Sequence, residues 1–86
     1  MKVVTIDIGE YILGSDVTPD GFKTKVIELV SKHDGTVLGV IKWYGAWRQY
    51  CFFSEGDCLF NNTCLKDIYE YMSELNKEKR NENKKC

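Results

Sequence analysis

The segment Thr24–Ser54, TKVIELVSKHDGTVLGVIKWYGAWRQYCFFS, holds three β-rich runs, and its reading decides the fold. The runs are Thr24–Lys32, Thr36–Tyr44 and Arg48–Ser54, dense in the β-branched and aromatic residues that suit a pleated surface. His33-Asp34-Gly35 suits a three-residue hairpin loop with Gly35 left-handed, and Gly45-Ala46 suits a two-residue turn with positive φ at its first place. Those turns fix the register, and register sorts side chains into faces. One face collects Ile27, Leu29, Val37, Gly39, Ile41, Trp43, Arg48, Tyr50 and Phe52. On it Phe52 falls opposite Gly39, covering the missing side chain, and Trp43 falls opposite Arg48 in cation–π reach. The other face collects Val26, Glu28, Val30, Leu38, Val40, Lys42, Tyr44, Trp47, Gln49, Cys51 and Phe53.

Downstream the period changes. Leu65, Ile68, Met72 and Leu75 recur at helical spacing, with Asn62 or Thr63 as N-cap and Asp67 near the positive helix end. Such a helix of about four turns must bury its stripe on the sheet, and the first face is the cleaner surface for it. Upstream, Val3, Val4, Ile6, Ile8, Ile12 and Leu13 are too apolar for solvent and supply one or two further strands before the loop around Pro19. The expectation is an α+β domain: an antiparallel three-strand meander extended by N-terminal strands, with one C-terminal amphipathic helix on one face. It spans residues 1–79, and 80–86 form a flexible basic tail.

Composition bounds the function. The 86 residues are 43% hydrophobic, 29% charged and formally −1 at pH 7, which excludes a strongly basic nucleic-acid binder and suggests marginal stability for a small core. No apolar run approaches the roughly 20 residues of a membrane span, and the start MKVVTIDIGE lacks the layout of a signal peptide, so a cytoplasmic protein is expected. Cys51, Cys58, Cys64 and Cys86 lack paired metal-ligand spacing and read as reduced thiols, the first and third in the core, the others in a loop and the tail. Asn61-Asn62-Thr63 matches a glycosylation sequon but reads as the helix entrance. No Gly-rich phosphate loop, nucleophile elbow or zinc-protease motif occurs, His33 lies in a turn, and Glu55 and Asp57 are ordinary loop carboxylates. The expectation is no enzyme, no metal and no cofactor.

Packing the helix on one face leaves the other apolar. A small monomer rarely exposes so much, so the N-terminal strands, a second copy or a partner must cover it. Around the second turn, Lys42-Trp43-Tyr44-Gly45-Ala46-Trp47-Arg48-Gln49-Tyr50 concentrates the residue types that dominate binding hot spots. Trp43 and Tyr50 belong to the core face, which leaves Lys42, Tyr44, Trp47, Arg48, Gln49 and Phe53 as candidate partner-binding residues. A second candidate is the acidic ridge Glu70, Glu74, Glu78 and Glu82, against which the plain alternative is a solvated helix face.

The stretch GVIKWYGAWRQYCFF (Gly39–Phe53), with Phe60-Asn61 and Cys64-Leu65-Lys66-Asp67-Ile68, resembles small uncharacterised proteins of bacterial phages and mobile elements. The resemblance implies a phage or mobile-element origin and a cytoplasmic site of action in a bacterial host. Such elements carry many short, acidic, single-domain inhibitors of host immunity, anti-CRISPR proteins among them, which act by stoichiometric binding. The leading functional expectation is a non-enzymatic protein that binds a host target or a second copy. The alternative is a nucleotide or single-stranded nucleic-acid binder that stacks bases on Trp47 and Tyr44, with Lys42 and Arg48 meeting phosphate.

Overall fold

The computed structural model describes residues 4–56 and 58–83. Five strands, β1 (Val4–Asp7), β2 (Ile12–Asp16), β3 (Val26–Ser31), β4 (Val37–Tyr44) and β5 (Gln49–Ser54), precede one helix, α1 (Asn62–Asn83). They form one sheet in the order β1-β2-β3-β4-β5, each strand antiparallel to its neighbour. This is the meander with two N-terminal strands and a C-terminal helix that the alternation and periodicity imply.

Pairing of Ile27 with Ile41 and of Leu29 with Gly39 agrees with the longer first loop. Gly35 takes φ 77° and donates its N–H to the Ser31 carbonyl at 2.8 Å. Past Leu29 the register slips, so that Val30 pairs with Val37 and Leu38 is the extra residue of a bulge. Leu38 therefore packs against the core, where strict alternation had placed Val37.

The second turn differs from expectation. Tyr44 pairs with Gln49 and Trp43 with Tyr50, so four residues, Gly45–Arg48, close it. Trp47 and Arg48 donate to the Tyr44 and Gly45 carbonyls, both at 3.2 Å, and the left-handed position falls on Arg48 (φ 52°) instead of Gly45. A turn of helical type needs its positive φ at the exit rather than the entrance. The register moves by two residues, so each side chain keeps its face. Trp43 now meets the Tyr50 ring edge-on at 5.4 Å, and the cation over it is Lys79 at 5.9 Å, not Arg48. Phe52 lies opposite Ile41 yet covers Gly39 diagonally: a Cβ on Gly39 would sit 2.7 Å from its ring.

Ile12, Ile27, Leu29 and Ile41 are fully buried beneath α1, joined by Tyr50, Ile68 and Leu75. Each contributes about 1.5–3 kcal/mol of apolar burial. The helix stripe is Cys64, Ile68, Tyr71, Met72 and Leu75, whereas Leu65 is 53% exposed because it lies one position off that line. Asn61, rather than Asn62 or Thr63, caps the helix, its Oδ1 accepting the Cys64 N–H at 2.8 Å. No acidic residue lies in the first turn; Asp67 instead packs against Gly9, where there is no room for a Cβ. Two bonds tie Tyr50 in place. Its hydroxyl accepts the Lys25 N–H at 3.0 Å, and its own N–H, on the outer edge of the last strand, donates to Asn76 Oδ1 at 2.7 Å.

Burial pushes the Tyr71 phenol above its ordinary 10.0, helped by the negative charges of Asp16 and Glu78 and by Tyr50. The fold favours the neutral phenol, so this stability is complete below pH 10 and is lost as pH rises through the raised value. Tyr71→Phe should remove that loss. Urea midpoints at about pH 9 and about pH 11 check it: wild type should fall further between them than the variant does.

Candidate functional site

The N-terminal strands extend the sheet rather than covering its second face. One row runs through all five strands from Thr5 to Ser15, Glu28, Val40 and Phe53, each opposite the next. Thr5 and Phe53 at its ends are exposed, Ser15, Glu28 and Val40 between them are half-buried, and α1 lies on the other side with Ile27, Leu29 and Ile41. The strands β1 and β2, one of the three covers expected for this face, lie beside it in the sheet instead.

At the β4–β5 end the face carries an aromatic corner. Period two puts Lys42 and Tyr44 of β4 and Cys51 and Phe53 of β5 on the same side, and the four-residue turn projects Trp47 beside them. Tyr44 stacks edge-on against Trp47 at 5.1 Å and against Phe53 at 6.2 Å, while the Lys42 ammonium lies 4.7 Å above the Phe53 ring. Trp47 is 67% exposed, and Tyr44 and Phe53 39% each. Mutual stacking holds these rings in place without burying them, so little side-chain entropy remains to be lost on binding. A shallow depression of about 300 Å³ lies between Tyr44, Trp47, Cys51, Phe52 and Phe53, and none of these is charged. Cys51, expected in the core, lines this open depression because its parity follows Lys42 and Phe53.

Lys42, Tyr44, Trp47 and Phe53 thus come together as the sequence suggested. Arg48 does not join them. It lines a separate cleft on the helix side with Trp43, Gln49, Asn76, Lys79 and Arg80, while Gln49, paired with Tyr44, keeps the parity of Cys51 and Phe53. A larger groove of about 700 Å³ continues from it along the outer edge of β5, where Tyr69, Met72 and Ser73 of α1 face Tyr50 and Phe52. Tyr69, Asn76 and Arg80 were missed as site residues. Their signal was the spacing 69, 73, 76, 80, a second helical line beside the apolar stripe.

The acidic residues occupy the opposite flank of α1. Glu70 and Glu74 are exposed, and Glu78 lies 3.8 Å from Lys25 in a surface ion pair worth roughly 0–1 kcal/mol. The side chain of Glu82, and the residues Asp57 and Lys84–Cys86, lie outside those described. Cys51, Cys58 and Cys64 are free thiols, and among the described residues no three His, Cys, Asp or Glu side chains assemble a metal site. No helix among them is long and apolar enough to cross a membrane.

Two carboxylates are held below the ordinary 3.8. Thr18 donates hydroxyl and N–H to Asp16, and Thr36 donates its N–H to Asp34. Both shape turns away from the aromatic corner.

The chain is 34% identical over 71 residues, 83% of its own length and 91% of the relative's, to a protein of Acholeplasma phage L2 named as an uncharacterised 9.3 kDa protein. No family profile and no solved structure matches it.

Proposed function

We propose that this chain, which belongs to the same family as that small phage protein, is a non-enzymatic binding protein that docks its open sheet face on a partner protein. In a phage setting the partner is a host protein, and the effect is stoichiometric inhibition of a defence function. The observation that carries the reading is the exposed, mutually stacked corner of Tyr44, Trp47 and Phe53 on a sheet face that the chain's own strands leave open. Stacked aromatics bury large area with few rotors and dominate the energetics of many interfaces. With Lys42 above Phe53 and no carboxylate among the residues of the depression, the complementary surface is an apolar projection bordered by an acidic group.

The test compares wild type with the double variant Tyr44→Ala/Trp47→Ala. Each is immobilised and exposed to bacterial host extract; the captured protein is then purified and titrated back by calorimetry. The reading requires one-to-one binding by wild type, loss of that binding by the variant, and unchanged circular dichroism. Light scattering supplies the contrary result: a wild-type dimer that becomes monomeric in the variant would assign the face to a second copy.

A further inference from the structure

The helix-side cleft has chemistry opposite to that of a solvated helix face. It is about 110 Å³, and its six lining residues are Trp43, Arg48, Gln49, Asn76, Lys79 and Arg80. Three are cations, two are amides, and none is acidic. The orientation of Asn76 is set by the strand: its Oδ1 is occupied by the Tyr50 N–H at 2.7 Å, so its amino group, a donor, is turned from β5. Among the described carboxylates of α1, Glu78 meets Lys25 and Asp67 meets Gly9, both away from the cleft.

Arg48 adds a second, independent sign. It is the only residue other than glycine with positive φ among those described, at 52°. Left-handed backbone is disfavoured for a side chain of this kind, and the turn would be served better by glycine or asparagine. An arginine kept there at a cost to the fold points to a use for its guanidinium.

The cleft opens into the groove of about 700 Å³ along β5, within the size range of small-molecule sites. The two share Gln49, Asn76 and Arg80. Tyr69, 66% exposed, and Trp47 bring two aromatic rings to the lining of that groove, with Met72 among its other residues. An anionic head next to a flat ring is the ligand that both parts accept together.

We propose that this cleft and groove bind a nucleotide, its phosphate held by Arg48, Arg80 and the Asn76 amide and its base laid against Tyr69. The groove borders the aromatic corner, sharing Trp47, Cys51 and Phe52 with its depression, but the cationic cleft lies apart from it, and the proposal goes beyond the protein-binding reading. A free nucleotide and a nucleotide unit of a single strand share this chemistry.

Arg48→Gly tests the proposal without endangering the fold, because glycine relieves the left-handed position. Adenosine 5′-monophosphate, inorganic phosphate and a twelve-residue oligothymidylate are titrated at low salt, read by amide chemical shifts and by the fluorescence of Trp43 and Trp47. The proposal expects saturable binding of the mononucleotide, weakened at least tenfold in Arg48→Gly and in Arg80→Ala while melting temperature holds or rises in the former. Tyr69→Ala should weaken the mononucleotide several-fold and leave phosphate unchanged. Tighter, strongly salt-dependent binding of the oligonucleotide assigns the site to a strand, and equal or weaker binding assigns it to a free nucleotide. Absence of shifts at millimolar ligand overturns the proposal. So does binding indifferent to Arg48 and Arg80, or phosphate binding with no gain from the base, which would mean an adventitious ion only. Loss of partner capture in Tyr44→Ala/Phe53→Ala, neither of which lines the groove, with nucleotide binding intact would separate the two readings.

Discussion

Gly39→Ala is expected to destabilise the protein by about 1–3 kcal/mol, lowering the melting temperature by roughly 10 °C for a domain of this size. A Cβ there would run into the Phe53 carbonyl oxygen and lie 2.7 and 2.8 Å from atoms of the Phe52 ring. Neither neighbour can retreat cheaply. The carbonyl belongs to the β5 backbone, and the Phe52 ring is held edge-on against Phe60 at 5.5 Å. The comparison is Gly45→Ala, where a Cβ would meet nothing within 4 Å and φ is not positive. That change should be neutral or stabilise by up to about 1 kcal/mol. Thermal melts of the two variants side by side check the argument, and equal melting would mean that Phe52 does not cover Gly39.

The second large effect concerns binding. Trp47→Ala should weaken partner affinity by about 2 kcal/mol or more, some thirtyfold, with almost no change in melting temperature, because its ring is 67% exposed and stacks only on Tyr44 at the surface. Trp43→Ala should do the reverse. Its ring packs against Tyr50 and the core cluster, so its loss destabilises by about 3–5 kcal/mol if the site behaves as a core position, and somewhat less for a half-buried ring. Two tryptophans four residues apart thus separate fold from function. Titration calorimetry and melting curves on both variants decide it; a Trp47→Ala protein that melts early would place that ring in the fold.

Much of this was legible because the informative signals were local. Alternation through Ile27, Leu29 and Ile41 marks the buried face directly, and Gly35 marks its turn. What escaped depended on geometry that a residue pattern does not encode. Gly45-Ala46 has the composition of a tight turn, yet the four-residue turn satisfies two carbonyls and accepts a strained Arg48. Parity hid the error, since a shift of two keeps every side chain on its face. The bulge at Leu38 has no such protection, and there the assignment of Val37 and Leu38 was exchanged. The helix cap fell on Asn61 instead of its neighbours, because three polar residues in a row, Asn61-Asn62-Thr63, offer equivalent side chains and only the entry direction chooses.

The aromatic corner followed from face parity alone: Lys42, Tyr44 and Phe53 share a side whichever of the two turns is drawn. Arg48 stands outside that group because it has the parity of Tyr50 and lines the cleft beside α1, whereas Gln49, paired with Tyr44, keeps the face and also borders that cleft. The groove residues of the helix stayed unseen since Tyr69, Asn76 and Arg80 differ in chemistry and reveal themselves only when set against β5. Net charge of −1 likewise concealed a division, with carboxylates on one flank of α1 and donors on the other.

Hydroxyl-radical footprinting of the protein, free and bound to its captured partner, tests the binding face most directly, since side-chain oxidation reports aromatic exposure one residue at a time. Tyr44, Trp47 and Phe53 should lose most of their oxidation in the complex while Tyr69 and Leu65 keep theirs. Protection of Tyr69 and Leu65 with Tyr44, Trp47 and Phe53 unchanged would move the interface to the helix and contradict the open sheet face as the docking surface.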